Sequence, residues 1–361
     1  MTGPNIAVES LQRFLDSVAP NRQATVSAVS PLTGGYSRDT AIGEVIWDDG
    51  ERQRLVLRSD PPPDTGVFMS DRDDEWRLLQ ALGTTGPVRV PSARWYDATG
   101  EYLGAKCIVS EFYEGSRTLQ DAAREAEADG DLREIQRTFV DVVADIHLTP
   151  LGALPAELLH PSDWDSHVDS LFDLLDDYAR ATEDSSPAIR YTVARLRQFR
   201  PPPVPLTLVH GDCQPGNVLV GDSGPMVIDW EFGRIGDPRE DFGHYMQIPV
   251  LPNLYVCDPE AFLSRYRERT GLTEEQLNVD VVEYFLILGE ARLFKQMLEG
   301  ADAVARGESP GIMATYLING NSRQYRNFFD VARRLDGVVE DGWSQRRTQA
   351  AVRVGHGSDS R

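Results

Sequence analysis

Hydrophobic and polar residues alternate along short runs in the first third of the chain, the pattern of β-strands with one buried face. Strands are predicted at 41–47, 54–58 and 106–112. A polar turn at 48–51 joins the first two, so they should pair as an antiparallel hairpin. Leucines then recur at 78, 79 and 82, the spacing of one helix face. A helix is therefore predicted from Ser70, as its cap, to Leu82.

Most of the remaining chain has apolar residues at helical spacing. Helices are predicted at 132–148, 165–179 and 281–298. A single hairpin interrupts this helical region, so we expect an α+β protein of two lobes with the boundary near Glu114. The predicted divisions are an N-terminal lobe at 1–113, a C-terminal lobe at 114–343 and a flexible polar tail at 344–361.

The overall charge limits the classes of partner. A net charge of −21 argues against nucleic acid and anionic membranes, because both are bound through basic surfaces. No apolar run is long enough to span a membrane, and the first residues lack the pattern of a signal peptide, so a cytoplasmic protein is expected. The three cysteines have no spacing typical of a disulfide framework or a zinc site. The oligomeric state is left open.

The strongest chemical signal is a polar loop followed by a short apolar hairpin. The motif runs Leu208-Val209-His210-Gly211-Asp212, then Asn217-Val218-Leu219-Val220, a Gly-Asp-Ser-Gly turn, and Met226-Val227-Ile228-Asp229-Trp230. If the turn is centred on Ser223, Asn217 and Asp229 face each other across the hairpin. Opposed side chains lie close enough to share a cation. Carboxylate and amide oxygens suit Mg²⁺, so a magnesium site is predicted at these two residues.

Asp212 lies five residues before Asn217, on the loop that enters the hairpin. From there it could orient an incoming hydroxyl group beside the metal. Phosphoryl transfer requires this arrangement, in which a metal neutralises the phosphates and a carboxylate positions the nucleophile. The Asp-to-Asn spacing equals that of the protein-kinase catalytic loop, with Gly211 in place of its arginine. The alternative is that these are ordinary turn residues.

The motif resembles that of the aminoglycoside phosphotransferase and choline kinase-like superfamily, whose members have His-Gly-Asp, an Asn five residues later and an Ile-Asp-Trp segment. The resemblance covers about 25–300 and is most specific at 208–241. It implies a two-lobed, protein-kinase-like fold and transfer of the γ-phosphoryl group of Mg-bound ATP or GTP to a substrate hydroxyl. By this resemblance, Asp212 is the catalytic residue, while Asn217 and Asp229 hold Mg²⁺. Structural roles are expected for His147, His210, Asp237 and Asp241.

The resemblance also implies a nucleotide site. Its candidate residues are Gly34, Gly35, Ser37, Arg58, Glu75, Ser110 and Phe112. The glycine pair could cover phosphates with backbone N–H groups, although a plain hairpin turn is the other interpretation. The backbone at 110–112 would contact the purine. Glu75 lies on the buried helix face and needs a cation. In kinase folds a strand lysine is that cation; here Arg58 has its place, and Lys106 is the second candidate.

The acceptor is indicated less well. Glu231, Glu283 and Glu290 are candidate substrate-binding residues. An acidic run at 163–184 could line a polyamine pocket, but its amphipathic spacing favours a solvated helix face. The expected partner is a small hydroxylated molecule, either an antibiotic or a metabolite such as a hydroxyacyl thioester. Two other classes stay open: a nucleotide-binding pseudokinase without turnover, suggested by the arginine at 58, and a Mg-dependent hydrolase that releases phosphate.

Overall fold

The computed structural model describes residues 6–32, 39–60, 71–129, 132–161, 163–181, 187–247 and 259–307. The first part of the chain contains α1 (Val8–Val18), β1 (Ala24–Pro31), β2 (Asp39–Trp47), β3 (Arg52–Ser59), α2 (Arg72–Leu82), β4 (Ala93–Asp97) and β5 (Cys107–Glu111). The second part contains β6 (Arg117–Thr118), α3 (Leu119–Asp129), α4 (Arg133–His147), α5 (Trp164–Ala181), α6 (Pro187–Gln198), β7 (Thr207–Val209), β8 (Val218–Val220), β9 (Met226–Val227), β10 (Arg234–Gly236), α7 (Arg239–Gln247), α8 (Pro259–Thr270) and α9 (Val279–Ala305).

The first five strands form one antiparallel sheet in the order β1-β2-β3-β5-β4. Alternate residues of β2 and β3, such as Val45 and Leu57, are buried, as the alternating sequence predicted. Helix α1 covers this buried face with Leu11, Phe14 and Leu15. Helix α1 was not predicted, although these residues have helical spacing, so the first part has two helices instead of one.

The predicted helices are present with small changes at their ends. Helix α2 begins at Arg72 and its cap is Asp71, whose side chain accepts a hydrogen bond from the Asp73 N–H at 2.8 Å. The cap predicted at Ser70 lies outside the described residues. Helices α4 and α5 match their predicted ranges closely. Helix α9 extends to Ala305, beyond its predicted end. None of the described helices is both long and apolar enough to cross a lipid bilayer.

Two further hydrophobic cores support the second part. One joins leucines of α2 to α4 and Trp230, so α2 of the first part packs directly on the second part. The other lies between α5, α6 and α9. The predicted boundary at Glu114 falls between β5 and β6, and the described residues do not test it as a domain limit. The predicted tail at 344–361 lies outside the described part of the chain.

The predicted hairpin forms, but its register is shifted by one residue from the prediction. Val218 pairs with Val227 and Leu219 with Met226. The Gly224 N–H donates to the Gly221 carbonyl at 2.9 Å, so the turn is centred between residues 222 and 223 rather than on Ser223.

This shift also corrects the predicted pairing of the metal-site residues. Asn217 is bonded to Ile228 across the hairpin, by an N–H···O bond of 2.9 Å, and not to Asp229. The prediction of a lone hairpin was incomplete as well, because β6 extends it to three strands and β7 pairs separately with β10.

Candidate active site

Asp212 lies in the loop between β7 and β8, half-buried, with its carboxylate held by two side-chain amides. The Asn217 amide nitrogen lies 2.8 Å from both the Asp212 backbone oxygen and its Oδ2. The Gln214 amide nitrogen donates to the same carboxylate at 3.0 and 3.2 Å. These bonds set the direction of the carboxylate without burying it. The sequence analysis did not single out Gln214.

His210 links this loop to the segment before Asp229. Its Nε2 donates to the Ile228 carbonyl oxygen at 2.9 Å, and its Nδ1 accepts the Asp212 N–H at 3.3 Å. A ring that donates at one nitrogen and accepts at the other is neutral, with the proton on Nε2. His210 therefore ties Asp212 to the Asp229 segment.

Asp241, on α7, accepts hydrogen bonds from the backbone of the same loop. Its two oxygens accept the N–H groups of His210 and Gly211, each at 2.8 Å, and Oδ2 also accepts from His147 Nε2 at 3.0 Å. Burial raises the pKa of Asp241, but the hydrogen bonds that it accepts from the His147 side chain and the His210 backbone outweigh burial, so the pKa lies below its ordinary value. The structural roles predicted for His147, His210 and Asp241 agree with these contacts.

Gly211 has a left-handed backbone, with φ of +80°. A Cβ there would lie 2.6 Å from Arg234 Nη1 and 2.6 Å from the Phe232 carbonyl oxygen, closer than real contacts allow. The arginine of the protein-kinase motif could not be accommodated at this position, because its Cβ would meet the Phe232 backbone carbonyl and the left-handed backbone strains residues other than glycine.

Asp229 follows β9 and has φ of +68°, a conformation that Asp tolerates better than most residues. Its Oδ1 accepts a hydrogen bond of 2.6 Å from Arg58 Nη2. Arg58 also lies 3.7 Å from Glu75, through Nη1 and Oε1. Burial lowers the pKa of Arg58, but the carboxylates of Asp229 and Glu75 more than offset it and hold the pKa above its ordinary value. Arg58 thus connects the sheet to the predicted metal ligand.

Glu75 is buried, as its position on the helix face predicted, and it has two cationic neighbours. The nearer is Arg72, which was missed by the sequence analysis: its Nη1 donates to Glu75 Oε2 at 2.6 Å, and its Nε to Asp60 at 3.1 Å. Arg72 lies one helical turn before Glu75, a spacing that could have identified it. Lys106 instead pairs with Asp73 at 2.6 Å, so Arg58 is the strand cation that reaches Glu75.

Asn217 and Asp229 have oxygens suited to Mg²⁺. Because the Asn217 amide nitrogen faces Asp212, its amide oxygen faces away from that carboxylate. Asp229 already attracts one cation, the Arg58 guanidinium. Within the described ranges, no group of three or more His, Cys, Asp or Glu side chains could hold a metal ion. These two protein ligands fit Mg²⁺, which takes most of its ligands from water and substrate phosphates.

The other predicted nucleotide residues are placed as follows. Gly34, Gly35 and Ser37 lie outside the described residues. Ser110 is buried in β5, opposite Val56 of β3. The Phe112 N–H donates to the Arg54 carbonyl at 3.1 Å, so this donor is engaged within the sheet. The purine-contacting role of 110–112 stays a prediction.

The candidate acceptor residues lie on separate parts of the chain, one after β9 and two on α9. Glu231 follows Trp230 in the chain and is buried, and its negative charge helps to raise the pKa of Arg58. Glu283 and Glu290 lie two helical turns apart on α9, and Glu290 is buried. The acidic residues of α5 lie on its exposed face, where Asp173 and Asp169 pair with Arg197 and Arg200. The solvated-face interpretation of this helix is confirmed.

Two arginines that were not predicted from the sequence lie beside the loop at 210–217, which contains Asp212. Arg234 Nη2 donates to Glu240 Oε2 at 2.6 Å, and Arg292 of α9 approaches the same oxygen at 3.3 Å. His167 donates to the other oxygen of this carboxylate. Burial raises the pKa of Glu240, but Arg234, His167 and Arg292 together hold it well below its ordinary value. Glu240 is therefore ionised at neutral pH.

Close to Glu240 in the chain, Asp237 and Arg239 form a fully buried ion pair. Arg239 binds both carboxylate oxygens of Asp237, at 2.8 and 2.6 Å, and neither side chain is exposed. The Trp164 indole N–H donates to the same carboxylate at 2.6 Å. The structural role predicted for Asp237 agrees with these contacts, since every oxygen faces a donor that is itself buried.

Solved structures with the same fold are found among small-molecule phosphotransferases. A provisionally named aminoglycoside phosphotransferase of Ralstonia eutropha has a TM-score of 0.64 at 18% identity, covering 91% of this chain and 98% of its own. Choline kinase LicA of Streptococcus pneumoniae has a TM-score of 0.56 at 17% identity, covering 89% and 98%. A thermostable mutant of aminoglycoside phosphotransferase APH(4)-Ia, solved with ADP and hygromycin B, has a TM-score of 0.59 at 17% identity, covering 93% and 100%. These likenesses confirm the predicted kinase-like α+β fold.

The sequence also matches a known protein and a family model. The Arabidopsis thaliana protein IBR3, provisionally named an acyl-CoA dehydrogenase, is 26% identical over 268 residues, which is 70% of this chain but only 31% of that relative. The model of the phosphotransferase enzyme family matches residues 29–277. Because this match includes more than half of the chain and all of the Asp212, Asn217 and Asp229 motif, the protein belongs to the phosphotransferase enzyme family.

Proposed function

We propose that this protein is a small-molecule kinase that transfers the γ-phosphoryl group of Mg-bound ATP or GTP to a hydroxyl group of its acceptor. The observation that carries the proposal is the placement of Asp212. Its carboxylate is half-exposed and is held by Asn217, which is itself bonded across the hairpin to the residue before Asp229. One candidate for positioning the nucleophile therefore stands beside two candidates for holding the metal.

The proposed roles follow from these positions. Asp212 orients the acceptor hydroxyl and takes its proton as the oxygen–phosphorus bond forms and the bond to the β-phosphate oxygen breaks. Asn217 and Asp229 would hold Mg²⁺, which supplies positive charge to the phosphates. Arg58, within reach of Asp229 and Glu75, binds the donor phosphates in place of the usual lysine.

The donor is proposed from the family and from nucleotides bound in related folds. LicA has been solved with AMP, aminoglycoside 2'-phosphotransferase-IIIa with GDP, and the APH(4)-Ia mutant with ADP. We propose that Gly34, Gly35 and Ser37 cover the phosphates and that the strand end at Ser110 and Phe112 borders the base.

Consumption of ATP and GTP by the purified protein, measured with Mg²⁺ and a mixed acceptor library, tests the proposal. Acceptor-dependent turnover should be lost in Asp212→Ala, while nucleotide binding is retained. Asp222→Ala is the matched control, because Asp222 is an exposed aspartate in the neighbouring hairpin turn. Equal phosphate release with and without acceptor would indicate a hydrolase instead.

A pseudokinase is the second candidate, and the Arg58–Asp229 ion pair favours it. This pair places a protein cation on the proposed metal ligand. A pseudokinase would bind nucleotide equally well with and without Mg²⁺ and would turn over no acceptor, with or without Arg58→Lys. A kinase would bind Mg-nucleotide more tightly than free nucleotide.

The acceptor class is proposed separately. Structural relatives are named for aminoglycosides, macrolides and choline, whereas the sequence match to an acyl-CoA dehydrogenase favours acyl-linked alcohols. A screen with amino sugars, macrolides and hydroxyacyl thioesters separates these classes. Phosphorylation of the thioesters alone would exclude an antibiotic-modifying enzyme.

A further inference from the structure

Positive charge exceeds negative charge where Arg234 and Arg292 meet Glu240. The contacts bring two guanidinium groups onto one ionised carboxylate. Arginine stays protonated in proteins. Burial lowers the pKa of Arg292, and the charge of Arg234 lowers it further, because the two like charges lie close together. Glu240 fixes the two side chains but cannot neutralise both.

This charge lies beside the proposed catalytic residue. Arg234 Nη1 is 2.6 Å from the point that a Cβ on Gly211 would occupy, and Gly211 directly precedes Asp212. Arg234 is further held by a 3.2 Å hydrogen bond from Nη1 to the Phe232 carbonyl. Its guanidinium is thus fixed beside Gly211, near the start of the loop that contains Asp212.

Both arginines are also partly exposed to solvent. The side chains of Arg234 and Arg292 are 32% and 31% exposed. Arg239, by contrast, is fully buried and directs its donors to Asp237 and to the carbonyls of Pro202 and Gln276. The buried Arg239 therefore serves only the fold, whereas the partly exposed Arg234 and Arg292 can reach a ligand.

We propose that Arg234 and Arg292 bind an oxyanion of the acceptor, a carboxylate or a phosphate group, so that the acceptor is an anionic hydroxyl compound and not an amino sugar or a choline-like cation. A guanidinium binds both kinds of oxyanion through paired N–H donors and repels a cationic acceptor. The inference rests on the proposed function, because Asp212 defines where the acceptor hydroxyl lies.

Matched acceptor pairs test it in the full chain with Mg-ATP. The pairs are glycerol 3-phosphate with glycerol, 3-hydroxybutyrate with its methyl ester, and 3-hydroxybutyryl-CoA with the N-acetylcysteamine thioester; choline and kanamycin are the cationic probes. We expect kcat/KM to be at least about tenfold higher for the anionic member of a pair. The first two pairs distinguish a phosphate from a carboxylate as the recognised group.

Variants locate the effect. Arg292→Gln, whose contact to Glu240 is the longer, and Arg234→Lys, which keeps the charge, guard against misfolding of Arg234→Gln. Both glutamine variants should abolish the anionic preference, mainly through KM, and the lysine variant should retain part of it. Arg265→Gln should not change it: Arg265 is also 31% exposed but pairs with Asp141, between α8 and α4.

The outcomes separate this inference from the kinase proposal. Turnover of neutral or cationic acceptors alone, or an unchanged preference in both glutamine variants, would overturn the oxyanion site and leave the kinase intact. If no acceptor turns over, the thermal shift caused by glycerol 3-phosphate and 3-hydroxybutyrate decides. A shift lost in Arg292→Gln but kept in Arg265→Gln supports the site without a kinase, and no shift overturns it.

Discussion

Two pairs of aspartates, in and around the loop at 210–217, differ in how they are held. Asp237 and Asp241 are buried and bonded to donors that are buried with them, namely Arg239, Trp164 and His147. Asp212 and Asp229 are half-buried. Their partners are amide groups and the partly buried Arg58.

The difference separates structural from chemical roles. A fully bonded, sealed carboxylate cannot approach a substrate, and removing it leaves buried donors unsatisfied. Replacing a half-exposed carboxylate changes the free energy of unfolding little, but such a group can accept a proton or bind a metal ion. All four residues are aspartates within one segment of thirty positions, 212–241; their environment distinguishes them.

The largest expected effect is on catalysis. Asp212→Asn should reduce kcat by at least about a thousandfold, equivalent to about 4 kcal/mol, because the amide cannot accept the hydroxyl proton. The free energy of unfolding should change by less than about 1 kcal/mol, since the residue is half-exposed. Steady-state kinetics and urea denaturation measure the two. Activity within tenfold of the wild type would exclude Asp212 as the positioning group.

The next effect is on stability. Asp237→Asn should reduce the free energy of unfolding by about 3 kcal/mol, because it leaves the buried Arg239 without its counter-charge. Asp173→Asn, at an exposed pair with Arg197, should change it by less than about 1 kcal/mol. Urea denaturation of both variants gives the comparison. Equal effects would mean that the sealed pair has no special structural role.

A smaller effect is expected from acid. The pKa of Asp241 is depressed in the folded state, so its contribution to stability is present above the ordinary aspartate value of about 3.9 and is lost as pH falls through the lower folded value. The urea concentration at the unfolding midpoint should therefore decrease as the pH is lowered below about 4. In Asp241→Asn the overall midpoint should be lower and its fall with acid shallower. The same acid dependence in the variant and the wild type would contradict this assignment.

The smallest effect concerns the second candidate cation. Lys106→Met should change the free energy of unfolding by less than about 1 kcal/mol and leave nucleotide affinity unchanged, because its pair with Asp73 is exposed. Arg58→Met should weaken nucleotide binding by about tenfold or more. Isothermal titration measures both. The reverse order would show that Lys106, not Arg58, contacts the donor.

The sequence predicted much of this protein from local patterns. Alternation located β2 and β3, and helical spacing located α2 and the buried position of Glu75. Helix α1 has the same kind of apolar spacing and could have been found. The predicted register of the hairpin was wrong by one residue. Gly221 and Gly224 close the turn, so its centre lies between residues 222 and 223, and the sequence alone does not fix which residues close a turn.

The sequence by itself determined the motif of Asp212, Asn217 and Asp229, because these residues lie close together in the chain and local spacing brings them to one hairpin. Only the tertiary structure decided which cations meet this motif and the neighbouring Glu240. Arg58 reaches Asp229 from 171 positions away, and Arg292 reaches Glu240 from 52. Such ion pairs depend on how separate elements pack, and no short-range pattern of hydrophobic and polar residues records them. The charge beside the loop at 210–217, and with it the proposed choice of acceptor, is therefore a property of the fold.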